Sequence, residues 1–209
     1  MLFSNNLEPL LIATYNPGKI KEIRHFFKGL AFQVVGLEQL PEISKCQEIG
    51  DSFDAIARQK ALHYSQFSKW LTLADDSGLE VDALGGLPGV YSARFLGESA
   101  SEVERYEEVL RRLSETQDSQ RSARFICSLA LALQGAVLGV FRGVLEGSIS
   151  REPRGDGGFG YDPIFLIPTL QRTVAELLIG EKEQISHRGL ALKAIRDYFI
   201  NNLEKGSQT

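Results

Sequence analysis

Leu71-Thr72-Leu73-Ala74 is a short apolar, strand-like run that stops at two carboxylates, a hydroxyl and a glycine, Asp75-Asp76-Ser77-Gly78. In open α/β sheets, side chains that do chemistry sit just beyond the carboxyl ends of strands, where loops present them into a crevice. Successive strand residues point to opposite faces, so Asp75 and Asp76 are expected to serve different partners. One would hold a cation while the other supports the backbone from behind. Taken alone, the same four residues also read as a turn in which Asp and Ser satisfy loop amides. The rest of the chain has to separate the two readings.

Upstream, Pro9–Ala13 predicts a short buried strand, followed by Thr14-Tyr15-Asn16-Pro17-Gly18-Lys19. Thr14 or Asn16 can cap a helix and Pro17 suits its first turn. Ile20, Ile23, Phe27 and Leu30 then recur at helical spacing, with Gly29 near the stop. A strand, a tight turn and a helix N-terminus make a cradle for an anion, because free amides and the positive end of the dipole point outward. The Walker pattern is absent, and Lys19 opposes the dipole unless an anion accompanies it. Ala31–Gly36 predicts a second strand, and Glu48 lies in a polar connection over 41–51. Ser52 is expected to cap a helix to about Ser68, with Ile56, Ala57, Ala61 and Tyr64 inward and Lys60 at the edge of that stripe. Such a lysine snorkels outward unless a crevice lies beside the helix.

Downstream, Leu79–Leu84 alternates as a strand exposed on one face, and Ser99 with Glu102 suggests a capping box before a helix. Arg124–Leu133 and Ala136–Leu145 read as two strands joined by a Gln134-Gly135 hairpin. Gly155–Pro163 is a glycine-rich loop around Phe159 and Tyr161, followed by a short strand Ile164–Ile167. Thr173 and Glu176 predict another capped helix. Ser186 is expected to start the last one, with Leu190, Ala191, Ala194, Ile195 and Tyr198 inward and a frayed tail at Glu204–Thr209.

Composition closes off several classes. The chain has 209 residues, 43% hydrophobic and 24% charged, with a net charge of −4. That charge disfavours a broad nucleic-acid surface, so an anionic ligand must meet a local cluster of cations. Its longest apolar stretch, Phe125–Leu133, is far short of the roughly 20 residues a membrane helix needs. Met1–Asn6 has no basic start, and Cys46 and Cys127 lack metal-ligand spacing, so they read as buried thiols. A cytoplasmic protein with no membrane partner is expected.

Thr14–Lys19, Asp75–Gly78 and Gly155–Asp162 concentrate special backbone geometry, and Lys182, His187 and Arg188 lie about the start of the last helix. Together they offer a phosphate-sized anion site, hard oxygens for Mg2+ and an aromatic face between glycines. That inventory suits a nucleoside polyphosphate. No G-x-S-x-G elbow supports a serine nucleophile, and His25 and His63 receive no role.

Six blocks in order resemble the inosine triphosphate pyrophosphatase family. They are Ala13-Thr14-x-Asn16-x-Gly18-Lys19-x-x-Glu22-Ile23, Phe53…Ala57-x-x-Lys60-Ala61, Ala74-Asp75-Asp76-Ser77-Gly78-Leu79, Leu84-Gly85-Gly86-x-Pro88-Gly89-x-Tyr91-Ser92-Ala93-Arg94, Gly157–Phe165, and Ser186-His187-Arg188-x-x-Ala191-Leu192. The resemblance implies a single α/β domain over 1–209: an elongated mixed β-sheet with helices forming two lobes around a central nucleotide cleft, as a homodimer. It implies cleavage of deaminated purine nucleoside triphosphates (ITP, dITP, XTP) to a monophosphate and pyrophosphate with Mg2+.

Carried over by position, Thr14, Tyr15, Asn16, Pro17, Gly18, Lys19, Lys60 and Ser77 would hold the phosphates. Asp76 would be the catalytic, metal-linked acid, with Glu48 a second metal contact. Phe159, Gly160, Tyr161, Asp162, Lys182, His187 and Arg188 would form the nucleotide and base pocket, with Arg188 or loop amides donating to the purine 6-carbonyl. The family usually has Glu-Asn where this chain has Ala55-Ile56, so Glu48 or Asp54 would have to compensate at the metal. The alternative reading is a nucleotide-binding sensor without turnover.

Overall fold

The computed structural model describes residues 9–30 and 32–206, with side chains only as far as Asn202. Seven strands form one mixed sheet in the order β2-β1-β3-β4-β5-β6-β7. In chain order the elements are β1 (Pro9–Ala13), α1 (Pro17–Phe26), β2 (Gln33–Gly36), α2 (Phe53–Ser65), β3 (Leu71–Val81), α3 (Glu102–Arg112), β4 (Ser122–Leu133) and β5 (Ala136–Ile149). Then come β6 (Phe165–Ile167), β7 (Arg172–Thr173), α4 (Ile179–Ile185) and α5 (His187–Gly206). β1 pairs in parallel with both β2 and β3, whereas β5, β6 and β7 are antiparallel. Gln134 and Gly135 both take positive φ, as a two-residue hairpin with the right-handed strand twist requires.

The chain separates into two compact units. The first runs to Asp76 and takes in Ser128–Gly143 and the chain from Arg188 on; the second holds Ser77–Cys127 and Val144–His187. Leu11, Ala13, Leu37, Ala57, Ala61, Tyr64, Ala74, Ala130 and Ala132 form a core of the first unit. The small residues on these facing positions let α2 approach the strands closely. The second unit closes around Leu79, Val81, Val109, Leu113, Phe125, Tyr161, Ile164 and Phe165. Among the described residues, no helix is long and apolar enough to cross a membrane.

Several expectations need correction. Asp75–Gly78 is neither a turn nor a loop: β3 passes straight through it to Val81. β3 is buried on both faces from Leu71 to Asp76, so Asp75 fills an interior position. Charge partners described below let an acid stand there. β3 also ends before Leu84, where Asp82–Leu84 form a 3-10 turn. Gly78 is required because a Cβ there would meet the Ser92 hydroxyl and come within 2.6 Å of the Gly89 carbonyl.

Helix α3 is capped by Ser101 and Glu104, one pair further on than Ser99 and Glu102. Thr173 and Glu176 do form a capping box, but it closes one 3-10 turn, and α4 begins only at Ile179. α2 stops at Ser65 and β2 begins at Gln33, with Ala31 outside the described residues. On α5 the buried apolar side chains are Ala191, Leu192, Ile195 and Phe199, with Ala194 and Tyr198 half-buried and Leu190 exposed. That helix continues through Gly206, so the expected tail at 204–206 is helical; 207–209 and Met1–Asn6 lie outside the described residues. Cys127 is buried, but Cys46 is only half-buried.

Candidate active site

In the first unit, the parallel register Ala13↔Ala74 brings the ends of β1 and β3 side by side. The chain after Ala13 turns on its own side chains. Thr14 Oγ1 accepts from the Asn16 amide at 3.2 Å, and Asn16 Oδ1 caps α1 by accepting from the Lys19 amide at 3.1 Å. Pro17 opens the helix. Gly18 and Lys19 therefore lie in a first helical turn, where amides lack intrahelical acceptors.

Asp75 is 1% exposed and fully engaged: Lys19 Nζ lies 2.5 Å from Oδ1, and Arg188 Nε donates to Oδ2 at 2.7 Å. Arg188 also donates through Nη1 to Glu22 on α1. Burial works against ionisation of Asp75, and Arg188 and Lys19 outweigh it, holding the carboxyl well below the usual range.

Asp76, on the other side of the strand, is treated differently. Burial is the largest influence and raises its pKa to about 6, with Glu48 and Asp75 adding repulsion and Lys19 and Lys60 pulling the other way. Its Oδ2 is buried and has no hydrogen-bond partner among the described residues. Its Oδ1 lies 3.6 Å from Lys60 Nζ. Lys60 is buried and does not snorkel out. It donates to the Asp75 carbonyl at 2.9 Å and meets Glu48 Oε1 at 3.0 Å. Burial alone would lower its pKa, but Asp76 and Glu48 raise it.

Three cations, Lys19, Lys60 and Arg188, thus face four carboxylates, Glu22, Glu48, Asp75 and Asp76. Among the carboxylate oxygens of this group, Asp76 Oδ2 is buried and accepts no hydrogen bond from the described residues. Asp54 accepts from Ser128 Oγ at 2.7 Å, Ala55 is exposed and Ile56 is fully buried.

The second unit carries the other group. Gly155, Gly158 and Gly160 all take positive φ, and a Cβ on Gly158 would strike the Asp162 carboxylate. Asp162 Oδ2 accepts from the Phe159 amide at 2.8 Å and from Lys182 Nζ at 2.6 Å, a buried pair that ties the loop to α4. The same Lys182 Nζ stands 4.9 Å from the centre of the half-buried Phe159 ring. Gly160 N donates to Glu102, and Tyr161 Oη donates to the Ser92 carbonyl at 2.9 Å. Burial raises the Tyr161 phenol well above its ordinary value, so it serves as a neutral donor. His187 lies stacked on Phe125 at 4.7 Å, and Phe125 stacks on Phe165 at 4.3 Å. Ser77 is half-buried on β3.

The expected site residues therefore fall into two sets. Thr14–Lys19, Glu48, Lys60, Asp76 and Arg188 belong to the first unit; Ser77, Phe159–Asp162, Lys182 and His187 belong to the second. Arg188 was expected beside the base, but two of its donors are committed to Asp75 and Glu22. Sequence reasoning gave Glu22 no role, although its place one turn after Lys19 is a usable signal. Phe125 gave none, since an aromatic in an apolar strand looks like any core residue.

A model of the Ham1 family matches residues 10–198. The dITP/XTP pyrophosphatase of an Exiguobacterium strain is 44% identical over 191 residues, covering 91% of this chain and 96% of that protein. The dITP/XTP pyrophosphatase of Bacillus subtilis is 41% identical over 189 residues, 90% and 96% of the two chains. A HAM1 protein from Coxiella burnetii has a similar structure, with a TM-score of 0.82 at 40% identity over 93% of this chain and 100% of that one. With matches of this extent in both sequence and fold, the chain belongs to the Ham1 family of inosine triphosphate pyrophosphatases.

Proposed function

We propose that this chain is a nucleoside triphosphate pyrophosphatase that hydrolyses dITP, ITP and XTP to the monophosphate and pyrophosphate with Mg2+. Asp76 carries the reading. A buried carboxylate with one oxygen unpartnered among the described residues, a raised pKa and Glu48 and Asp75 close by is arranged to receive a cation.

The residues fit Mg2+ in kind: one or two carboxylates supply hard oxygens, and substrate phosphates and water complete such a shell. Asp76 and Glu48 would hold the ion. When bound, Mg2+ neutralises charge on the phosphate oxygens and activates a water for attack at the α-phosphorus.

The chain's own residues do the positioning. The amides at the start of α1 receive phosphate oxygens, and Lys19 and Lys60 offset the charge that develops toward the leaving pyrophosphate. Asp75, fixed by Arg188, holds β3 so that Asp76 keeps its direction. Phe159 presents a face to the purine, and Lys182 and Asp162 hold the Phe159 loop. With Arg188 engaged by Asp75 and Glu22, His187 is the side chain assigned to donate to the 6-carbonyl. Adenine places an amino donor there, and a site built on a donated hydrogen bond can reject the wrong group by about 10⁴–10⁵.

We infer a cytoplasmic homodimer as the working form, on the strength of the family resemblance. Pyrophosphate release measured with dITP, XTP, dGTP and ATP tests the function. Rapid release from dITP and XTP and little from ATP is expected. Equal rates with ATP would refute the selectivity, and binding without release would replace the hydrolase by a sensor.

A further inference from the structure

Glu48 sits in residues 41–52, which carry neither helix nor strand, yet this stretch is fixed at several points to one ridge of α2. His63 Nε2 donates to the Ser44 carbonyl at 2.8 Å, as the Nε2–H tautomer. The Cys46 amide donates to Tyr64 Oη at 3.2 Å, and the Ile49 amide donates to Gln59 Oε1 at 3.0 Å. Between these two anchors Glu48 meets Lys60. The loop thus runs back along the helix: 44 against 63, 46 against 64, 48 against 60 and 49 against 59. Residues 59, 60, 63 and 64 form one face, since positions four apart stack on a helix. At Gly50 a Cβ would come within 3.0 Å of Ile56 Cγ1, so the loop also packs tightly at its far end. Nearby, Lys45 lies 5.3 Å from the centre of the Tyr15 ring, in the segment between β1 and α1.

An irregular segment must find partners for its amides, and here side chains of α2 provide them where no β-ladder does. We propose that Gln59 and Tyr64 are positioning residues. They set the Glu48 loop against α2 so that the Glu48 carboxylate stays with Lys60 and Asp76, and through Glu48 they set the strength of Mg2+ binding. The inference rests on Glu48 being a metal contact. Both residues act through the loop backbone, at the Cys46 and Ile49 amides. Tyr64 contributes its hydroxyl at the rim of a buried ring, and Gln59 acts from a half-buried position.

The test uses the full-length protein with Tyr64→Phe, which keeps the ring in the core, and with Gln59→Ala, which leaves the core untouched. Glu48→Gln serves as the reference. In the metal-free protein, amide hydrogen exchange over 44–49 and alkylation of Cys46 report on the loop, with fully buried Cys127 as the control for global opening. Loss of one net hydrogen bond corresponds to about a fivefold change, so each variant should speed both readouts by about that factor. The half-saturating Mg2+ for pyrophosphate release should rise by a similar factor, with kcat at saturating Mg2+ close to that of the unmodified chain. Unchanged exchange and alkylation in both variants would overturn the anchoring. A loosened loop with unchanged Mg2+ dependence would overturn the link to Glu48, provided that Glu48→Gln raises the half-saturating concentration. If Glu48→Gln leaves it unchanged as well, the assignment of Glu48 as a metal contact is what fails.

Discussion

Replacing Asp76 by Asn should destroy activity and stabilise the metal-free fold. The folded protein raises the Asp76 pKa from 3.8 to about 6, and the attraction of Lys19 and Lys60 is already contained in that figure. The rise corresponds to about 3 kcal/mol by which the folded state disfavours the charged form. Asn is nearly isosteric with the neutral acid and removes this cost. The sign fixes the pH window. Below pH 4 the acid is protonated both folded and unfolded, so Asn brings nothing. Between 4 and 6 the folded chain takes up a proton that the unfolded chain lacks, and the gain grows. Above about 6 the carboxylate is charged in both states, and Asn shows its full advantage.

For a chain of this size, 1 kcal/mol moves Tm by roughly 2–4 °C, so a rise of about 6–12 °C is expected near pH 7.5. Thermal denaturation with a chelator at pH 4 and pH 7.5 measures it, alongside pyrophosphate release from dITP. Turnover should fall by several orders of magnitude. A Tm for Asp76→Asn at or below that of the unmodified chain at pH 7.5, or a gain equal at both pH values, would refute the reading of Asp76 as an under-neutralised carboxylate.

With Asp76 as the proposed Mg2+ ligand, protons compete with the ion, so the half-saturating Mg2+ should climb by about tenfold per pH unit below 6 and stay flat above it, in a titration from pH 5 to 8. Arg188→Ala leaves the buried Asp75 short of its main partner, and breaking such a pair costs about 3–5 kcal/mol, so calorimetry should find a large drop in Tm. A stable Arg188→Ala protein that merely lost base selectivity would instead place Arg188 with the base. Phe159→Ala removes a stacking face worth about 1–3 kcal/mol per base, raising KM for dITP by at least about fivefold with little change in Tm or kcat.

Local chemistry made much of the fold legible. Asn16 and Pro17 announce the start of α1, Ser52 that of α2, and Gln134-Gly135 the hairpin, because each acts on its own few residues. Where local rules gave two answers, context chose. Ser99 and Ser101 each have Glu three residues on, and the chain uses the second pair. Thr173 and Glu176 meet every demand of a capping box without a helix behind them, since the box needs only one turn. Asp75–Gly78 misled for a different reason. Its place inside a strand depends on Arg188, 113 residues away, and no local pattern reports such a partner. The site shows the same division. Its residue types were readable as blocks, but His187 and Arg188 are neighbours in sequence and serve different units. At a helix start, consecutive residues project about 100° apart, so neighbours in one block meet different partners: His187 stacks on Phe125, and Arg188 pairs with Asp75 and Glu22.

That geometry also explains the asymmetry of Asp75 and Asp76. Both are buried, both lie within reach of Lys19, and they are adjacent on one strand. Alternation sends Asp75 to Arg188 and Lys19, where ion pairs overcome burial, and leaves Asp76 with a lysine at 3.6 Å that Glu48 also claims. The same residue type is therefore held well below its ordinary pKa at one position and raised to about 6 at the next. A carboxylate already satisfied by a guanidinium has little to offer a cation, whereas one with a bare buried oxygen gains most from it. Lys19 and Arg188 thus neutralise the Asp75 side of β3, while on the other side Asp76 and Glu48 share Lys60, and the buried Asp76 Oδ2 is the oxygen left to take a further positive charge.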